Sequence, residues 1–304
     1  MFIALVPTEF MRHSDPIMLC KGLRYANPMT LRGKLFQILR NPVGSLKERG
    51  RLARLLVKQL PVFVVNSGNW AKFPALTLSA ANVFPKQFLS LLEMQEATLV
   101  DFDTVFPVTL KSQVIGSLFD KNGSDKTSHG YERIYSKFFE SLQDEKVIEL
   151  LEIGIGTNSH GLISSMGRKG KPGASLIAFA EFDSRINVTG ADIDRNILFT
   201  ANHIKCFYID QTVLDSYYSL TSQVGIAQFD FIIDDGLHST EANLNSLIFA
   251  QNHLAPGGYL IIEDIPDNSL PVWDVVVGVM RSKGHEIFVT RASRCNVIIF
   301  RNSL

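Results

Sequence analysis

A chain of 304 residues, 46% apolar and 20% charged, carries enough apolar surface for one large domain and a smaller one, which argues against disorder over most of its length. Thirty basic and thirty acidic residues leave no formal net charge, yet residues 1–60 hold eleven lysines and arginines against Glu9, Asp15 and Glu48. The remainder is acidic by the same margin, so the two parts have different electrostatic roles.

The start, "MFIALVPTEFMRHSD", has too short an apolar core for a secretory signal, and no run of about 18 uncharged apolar residues follows, so a cytoplasmic protein without a transmembrane segment is expected. Cys20, Cys206 and Cys295 are odd in number and far apart, which speaks against a disulfide framework or a zinc site. The last two lie in apolar runs and read as buried thiols. "TLRGKLFQILRNP" and "SLKERGRLARLLVKQL" space their leucines as amphipathic, basic helices. They read as helices with a solvated basic face; an alternative is peripheral contact with a membrane or an anionic polymer. Between residues 60 and 110 "PVFVVNSG" is strand-like and "KQFLSLLEMQEA" helical, with no fold assigned. Residues 1–113 are therefore an accessory region of unknown fold.

From residue 114 to 304 the pattern is regular. "YERIYSKFFESL" is an amphipathic helix followed by the apolar strand "VIELLEIGIG". "ASLIAFAEF" (helix), "INVTGADID" (strand), a short helical stretch, "IKCFYID" and "FDFIIDD" (strands), "EANLNSLIFAQNHL" (helix) and "GYLIIED" (strand) come next. "VWDVVVGVMRSKG" (helix) and the strands "HEIFVT" and "CNVIIF" close the chain. Apolar strands alternating with helices imply a parallel sheet covered on both faces, a doubly wound α/β fold. The last connection is too short for a crossover, so one final strand runs antiparallel.

In such a sheet the ligand sits beyond the carboxyl end of the first strand, here "LLEIGIGTNSHG". Gly154 and Gly156 permit a tight turn and close approach. A dinucleotide site would need a third glycine where Ser159 stands, and a nearer acidic residue than Asp192. Glu152 beside the glycines would repel a pyrophosphate and suits a cationic ligand, such as S-adenosylmethionine (SAM). "ELLEIGIGT", "VTGADID" and "HLAPGGYLIIED", in that order, resemble the motifs of the class I SAM-dependent methyltransferases. The resemblance implies a Rossmann-like seven-stranded sheet of order 3-2-1-4-5-7-6 with strand 7 antiparallel. It places Gly154 and Gly156 at the methionyl part of SAM, Asp192 at the ribose with Asp194 as the alternative, and Asp210 near the adenine. Asp194 also reads as an N-terminal helix charge. The insertion "SSMGRKGKPGASL" is expected to break the first helix near Gly167 and restart it after Gly173. "GSDKTSHGYERIY", with Asp125, Lys126, His129 and Tyr131, resembles a SAM-covering segment.

"IDDGLH" followed by "IIEDI" resembles a narrower group, the metal-dependent sugar O-methyltransferases that act on macrolides. That resemblance implies a magnesium ion held by Asp235 and Asp264, and His238 as the base. Glu263 is a further candidate ligand or a salt-bridge partner, and Asp234 is assigned to the cofactor side. Clustered carboxylates call for a cation, and oxygen ligands suit magnesium. Against these stand a turn at Asp234–Asp235 and helix capping by Ser239 or Thr240. The expected activity is methylation of a sugar hydroxyl, free, in a glycan or on a glycosylated metabolite; the alternative is a SAM-binding or scaffold protein whose basic helices make the main contact. The acidity of the larger part argues against nucleic acid. The sugar enzymes also imply homo-oligomers built through N-terminal additions.

Overall fold

The computed structural model describes residues 87–94, 97–142, 146–293 and 295–303, all within the unit Ala81–Leu304. The basic helices expected before residue 60, and the strand-like "PVFVVNSG", lie outside the described residues.

Before the sheet come α1 (Phe102–Val105), α2 (Leu110–Asn122), α3 (Lys126–His129) and α4 (Tyr131–Glu140). The residue 113/114 line drawn on the sequence falls inside α2, which Thr109 starts by a reciprocal capping box with Ser112 and Gly123 ends with a left-handed φ of 87°. Phe106, upstream of that line, is fully buried in the same core as the sheet.

Then come β1 (Ile148–Ile153), α5 (Ala174–Phe182), β2 (Ile186–Asp192), a two-residue β3 (Thr200–Ala201), β4 (Ile204–Tyr208), α6 (Leu214–Val224), β5 (Phe229–Asp234), α7 (Thr240–His253), β6 (Leu254–Ile265), α8 (Leu270–Ser282), β7 (Glu286–Ala292) and β8 (Cys295–Arg301). The sheet order is β3-β4-β2-β1-β5-β6-β8-β7. Without β3 this is the expected 3-2-1-4-5-7-6, with β8 antiparallel to both neighbours. The sheet differs from seven strands by β3, which follows a 3-10 turn at Arg195–Ile197 and pairs with β4 through two residues.

Burial on both strand faces follows from the apolar runs. Leu150, Phe231, Ile233 and Ile261 pack with Phe119, Tyr135 and Phe179 on the side of α2, α4 and α5. Leu151, Ile232 and Ile262 pack with Tyr217, Phe249 and Trp273 on the side of α6, α7 and α8. The crossover β1–α5–β2 covers one face and β5–α7–β6 the other, so the order reverses between β1 and β5, opening a crevice at their carboxyl ends. Half of the expectation for the insertion holds: α5 begins at Ala174 behind Gly173, whose φ is 76°, but residues 154–173 form no helix that Gly167 could break. Among the described residues no helix is long and apolar enough to cross a membrane.

Candidate functional site

A cavity of about 300 Å³ opens in that crevice, walled by Gly154, Gly156, Asp192, Asp235, His238 and Asp264, with segments 124–131 and 163–171 across it. Gly154 and Gly156 have φ of 85° and 81°. A Cβ on Gly154 would strike the backbone carbonyl of Asp235, so only glycine lets the loop after β1 press on the loop after β5. Asp192 fixes this loop: Oδ2 accepts the Ile155 amide at 3.0 Å and Oδ1 the Asp194 amide at 2.8 Å. Burial raises its pKa against those two bonds. Asp210, bonded to the Thr212 amide and hydroxyl, lines a smaller cavity of about 60 Å³ shared with Gly154 and Asp192.

Three of the residues assigned to the cofactor side are not on the cavity wall. Asp194 accepts from the Thr157 hydroxyl and caps the 3-10 turn through the Asn196 amide, the helix-charge role weighed for it above. Asp234 is fully buried, its carboxylate bonded to the side-chain amides of Gln211 and Asn243. Gln211 in turn receives the Leu237 amide at 2.8 Å, so Asp234 braces the loop that carries His238. Glu152 lies beneath the glycine loop, fully buried, with Ser175 donating to it at 2.7 Å.

The partner of Glu152 is internal. Lys126, 2% exposed, places its Nζ 3.0 Å from Glu152, 2.9 Å from Asp235 and 2.8 Å from Glu263. Strand pleat explains the convergence: Glu152 lies two residues from Leu150, Asp235 two from Ile233 and Glu263 two from Ile261, so all three project to the α2–α4–α5 side. Burial opposes the lysine's charge, but Asp235, Glu152 and Glu263 outweigh it and hold its pKa well above the usual value. Burial likewise raises Glu152, and lifts Glu263 to about 7 although Lys126 pulls it down.

Asp264 breaks the alternation. Its φ is 52° and the β6–β8 register slips between Ile262 and Ile265, a bulge that re-aims the side chain. The Tyr131 hydroxyl donates to Asp264 Oδ1, and the Cys295 thiol, expected as buried, is only half-buried. His238 too has a positive φ, 54°. Two non-glycine residues held in the left-handed region at one site is a pattern associated with function. His238 Nε2 lies 4.0 Å from Asp235 Oδ1 and 4.0 Å from Asp264 Oδ2, while its Nδ1 is buried without a partner among the described residues. Among the described residues, Asp235, His238 and Asp264 form a group with metal-ligand spacing, donor atoms within 4.8 Å of one another. Glu263, turned to Lys126, is outside it. Ser239 caps α7 as expected, accepting the Ala242 amide.

The roles of Lys126, Tyr131, Ser175, Gln211 and Asn243 were not assigned from sequence. Lys126 and Tyr131 fall in a segment that was noticed, but Asp235, Glu263 and Asp264, which they hold, lie more than 100 residues away. Gln211 follows a noticed aspartate with no spacing signal of its own.

No family model matches the chain. It is 31% identical over 137 residues to demethylmacrocin O-methyltransferase of Streptomyces fradiae, over 45% of this chain and 32% of that protein. The similarity thus spans about a third of the relative's length. Two solved structures of MycE methyltransferase from the mycinamycin biosynthetic pathway are similar at 21% and 19% identity, each over 62% of this chain and with a TM-score of 0.49. They cover 55% and 53% of those chains; the first is a complex with Mg and SAH, the second with Mg, SAH and mycinamycin VI.

Proposed function

We propose that the chain is a SAM-dependent, magnesium-assisted O-methyltransferase whose acceptor is a sugar hydroxyl of a glycan or glycosylated metabolite. The observation that carries this reading is the convergence of Asp235 Oδ1, Asp264 Oδ2 and His238 Nε2 in a cavity that also contains the glycine loop. The stretch shared with demethylmacrocin O-methyltransferase supports it.

The residues fit a hard divalent cation. Asp235 and Asp264 present carboxylate oxygens at ligand spacing, the donor type magnesium takes. Glu152, Asp235 and Glu263 share one ammonium, and Asp264 adds a fourth carboxylate at ligand spacing from Asp235, so further positive charge is favoured there. Magnesium, when bound, supplies Lewis acidity toward the acceptor hydroxyl. SAM, when bound, supplies a methyl group made electrophilic by its sulfonium.

The rest falls to the protein. Gly154 and Gly156 line the cavity where the methionyl part would lie, Asp192 offers its remaining lone pairs to the ribose, and Asp210 stands at the adenine end. His238 takes the acceptor's proton at Nε2, because an unassisted sugar hydroxyl keeps its proton far above neutral pH and is a poor nucleophile. Holding oxygen and methyl in line contributes several kcal/mol, roughly 7 or more for well-oriented pairs. The test is methyl transfer from labelled SAM to glycosylated macrolides and free sugars with magnesium present. Transfer that is lost in His238→Ala, with SAM affinity retained, is expected. Full turnover by that variant removes His238 from the mechanism, and full turnover in excess chelator removes the metal.

A further inference from the structure

Each carboxylate that faces His238 has one oxygen held and one turned to the histidine, and both holding groups come from one short stretch. Lys126 Nζ donates to Asp235 Oδ2 at 2.9 Å, and Tyr131 donates its hydroxyl to Asp264 Oδ1. The other two oxygens, Asp235 Oδ1 and Asp264 Oδ2, stand 4.0 Å from His238 Nε2. We infer that Lys126 and Tyr131 are positioning residues, which fix the rotation of the two carboxylates so that one oxygen of each converges on the cation position. This rests on the magnesium reading of the site given above.

The terminal torsion of an aspartate is broad and roughly two-fold, so without a partner the carboxylate plane wanders. One short, charge-assisted hydrogen bond per carboxylate sets the plane. Both donors are themselves immobile. Lys126 is anchored by Glu152 and Glu263 as well as Asp235, which leaves it no second position. Tyr131 is 1% exposed, packed in the core that contains Ile134 and Tyr135, and stacked on His129. Gly130, with φ of 81°, makes the turn between α3 and α4 that brings both donors to the same cavity. Burial and the nearby carboxylates push the Tyr131 hydroxyl upward, so it remains a donor. The stretch resembles a SAM-covering segment by sequence; its contacts make it the outer frame of the acid pair.

The test uses Mn2+ as an EPR-visible probe on the full chain in magnesium-free buffer, with SAM affinity and thermal midpoint as controls. Tyr131→Phe keeps the ring and removes the donor; Mn2+ affinity falls about tenfold and the bound-ion spectrum broadens, while SAM affinity and midpoint stay as they were. Lys126→Met separates orientation from charge. Loss of an ammonium makes the site more negative, and by Coulomb attraction alone Mn2+ would bind more tightly; the positioning role predicts weaker binding. If Lys126→Met does not fold, Tyr131→Phe decides. Unchanged Mn2+ affinity and spectrum in Tyr131→Phe, or tighter binding in folded Lys126→Met, overturns the inference and leaves the magnesium reading standing. An unaltered protein that binds no Mn2+ overturns both.

Discussion

At the carboxyl ends of β1 and β2 the acidic side chains are held by the chain around them. Asp192 takes the amides of Ile155 and Asp194, and Asp194 takes the Thr157 hydroxyl and the Asn196 amide. At the ends of β5 and β6 the arrangement is the reverse. Asp235 and Asp264 are held by side chains more than 100 residues away, and each keeps an oxygen directed at His238. The first edge is a stiff loop that local bonds build; the second is an acid pair that exists only once α3 and α4 have docked on the sheet. Ordinary turn formation explains the first set of carboxylates, whereas the second holds charge together at a cost that folding alone does not repay.

The largest effect expected from this contrast is on the second edge. Asp264→Asn keeps the shape and tolerates the left-handed backbone, and should weaken magnesium binding by about 100-fold or more in a calorimetric titration, with SAM binding kept. Next comes the junction between the edges. Gly154→Ala forces a Cβ against the Asp235 carbonyl at a φ of 85°, and should destabilise the domain by about 2–4 kcal/mol in urea unfolding. Asp234→Ala strips an acceptor from two buried amides and should cost about 2 kcal/mol while leaving cation affinity in place. A loss of cation affinity equal to that of Asp264→Asn would erase the distinction between Asp234 and Asp235. Smallest is the cap: Ser239→Ala should cost about 1 kcal/mol with no change in ligand binding.

The elements were legible in sequence because the strands are apolar runs and the helices between them carry helical spacing. Strand order followed from the methyltransferase motifs, and β3 escaped because two residues leave no pattern. Asp235, His238 and Asp264 stand in a recognisable pair of short motifs, and the structure brings one donor atom of each within 4.8 Å of the others. The assignment of Asp234 shows what the motif concealed. Strand residues alternate faces, so Asp234 points with Ile232 toward α7 while Asp235 points with Ile233 toward α3. Glu152 shows the same limit: its charge reads as a lure for a cationic ligand until the fold brings Lys126 to it. What sequence could not show was partnership across 109 and 137 residues, which depends on how α3 packs and not on local spacing.

We propose that this crevice takes a methyl donor beside a divalent cation. Calorimetric titration of the full chain with S-adenosylhomocysteine, with and without magnesium, tests it most directly. Saturable binding at micromolar ligand is expected, with a separate, saturable magnesium isotherm that Asp264→Asn removes. No heat at millimolar S-adenosylhomocysteine would contradict it.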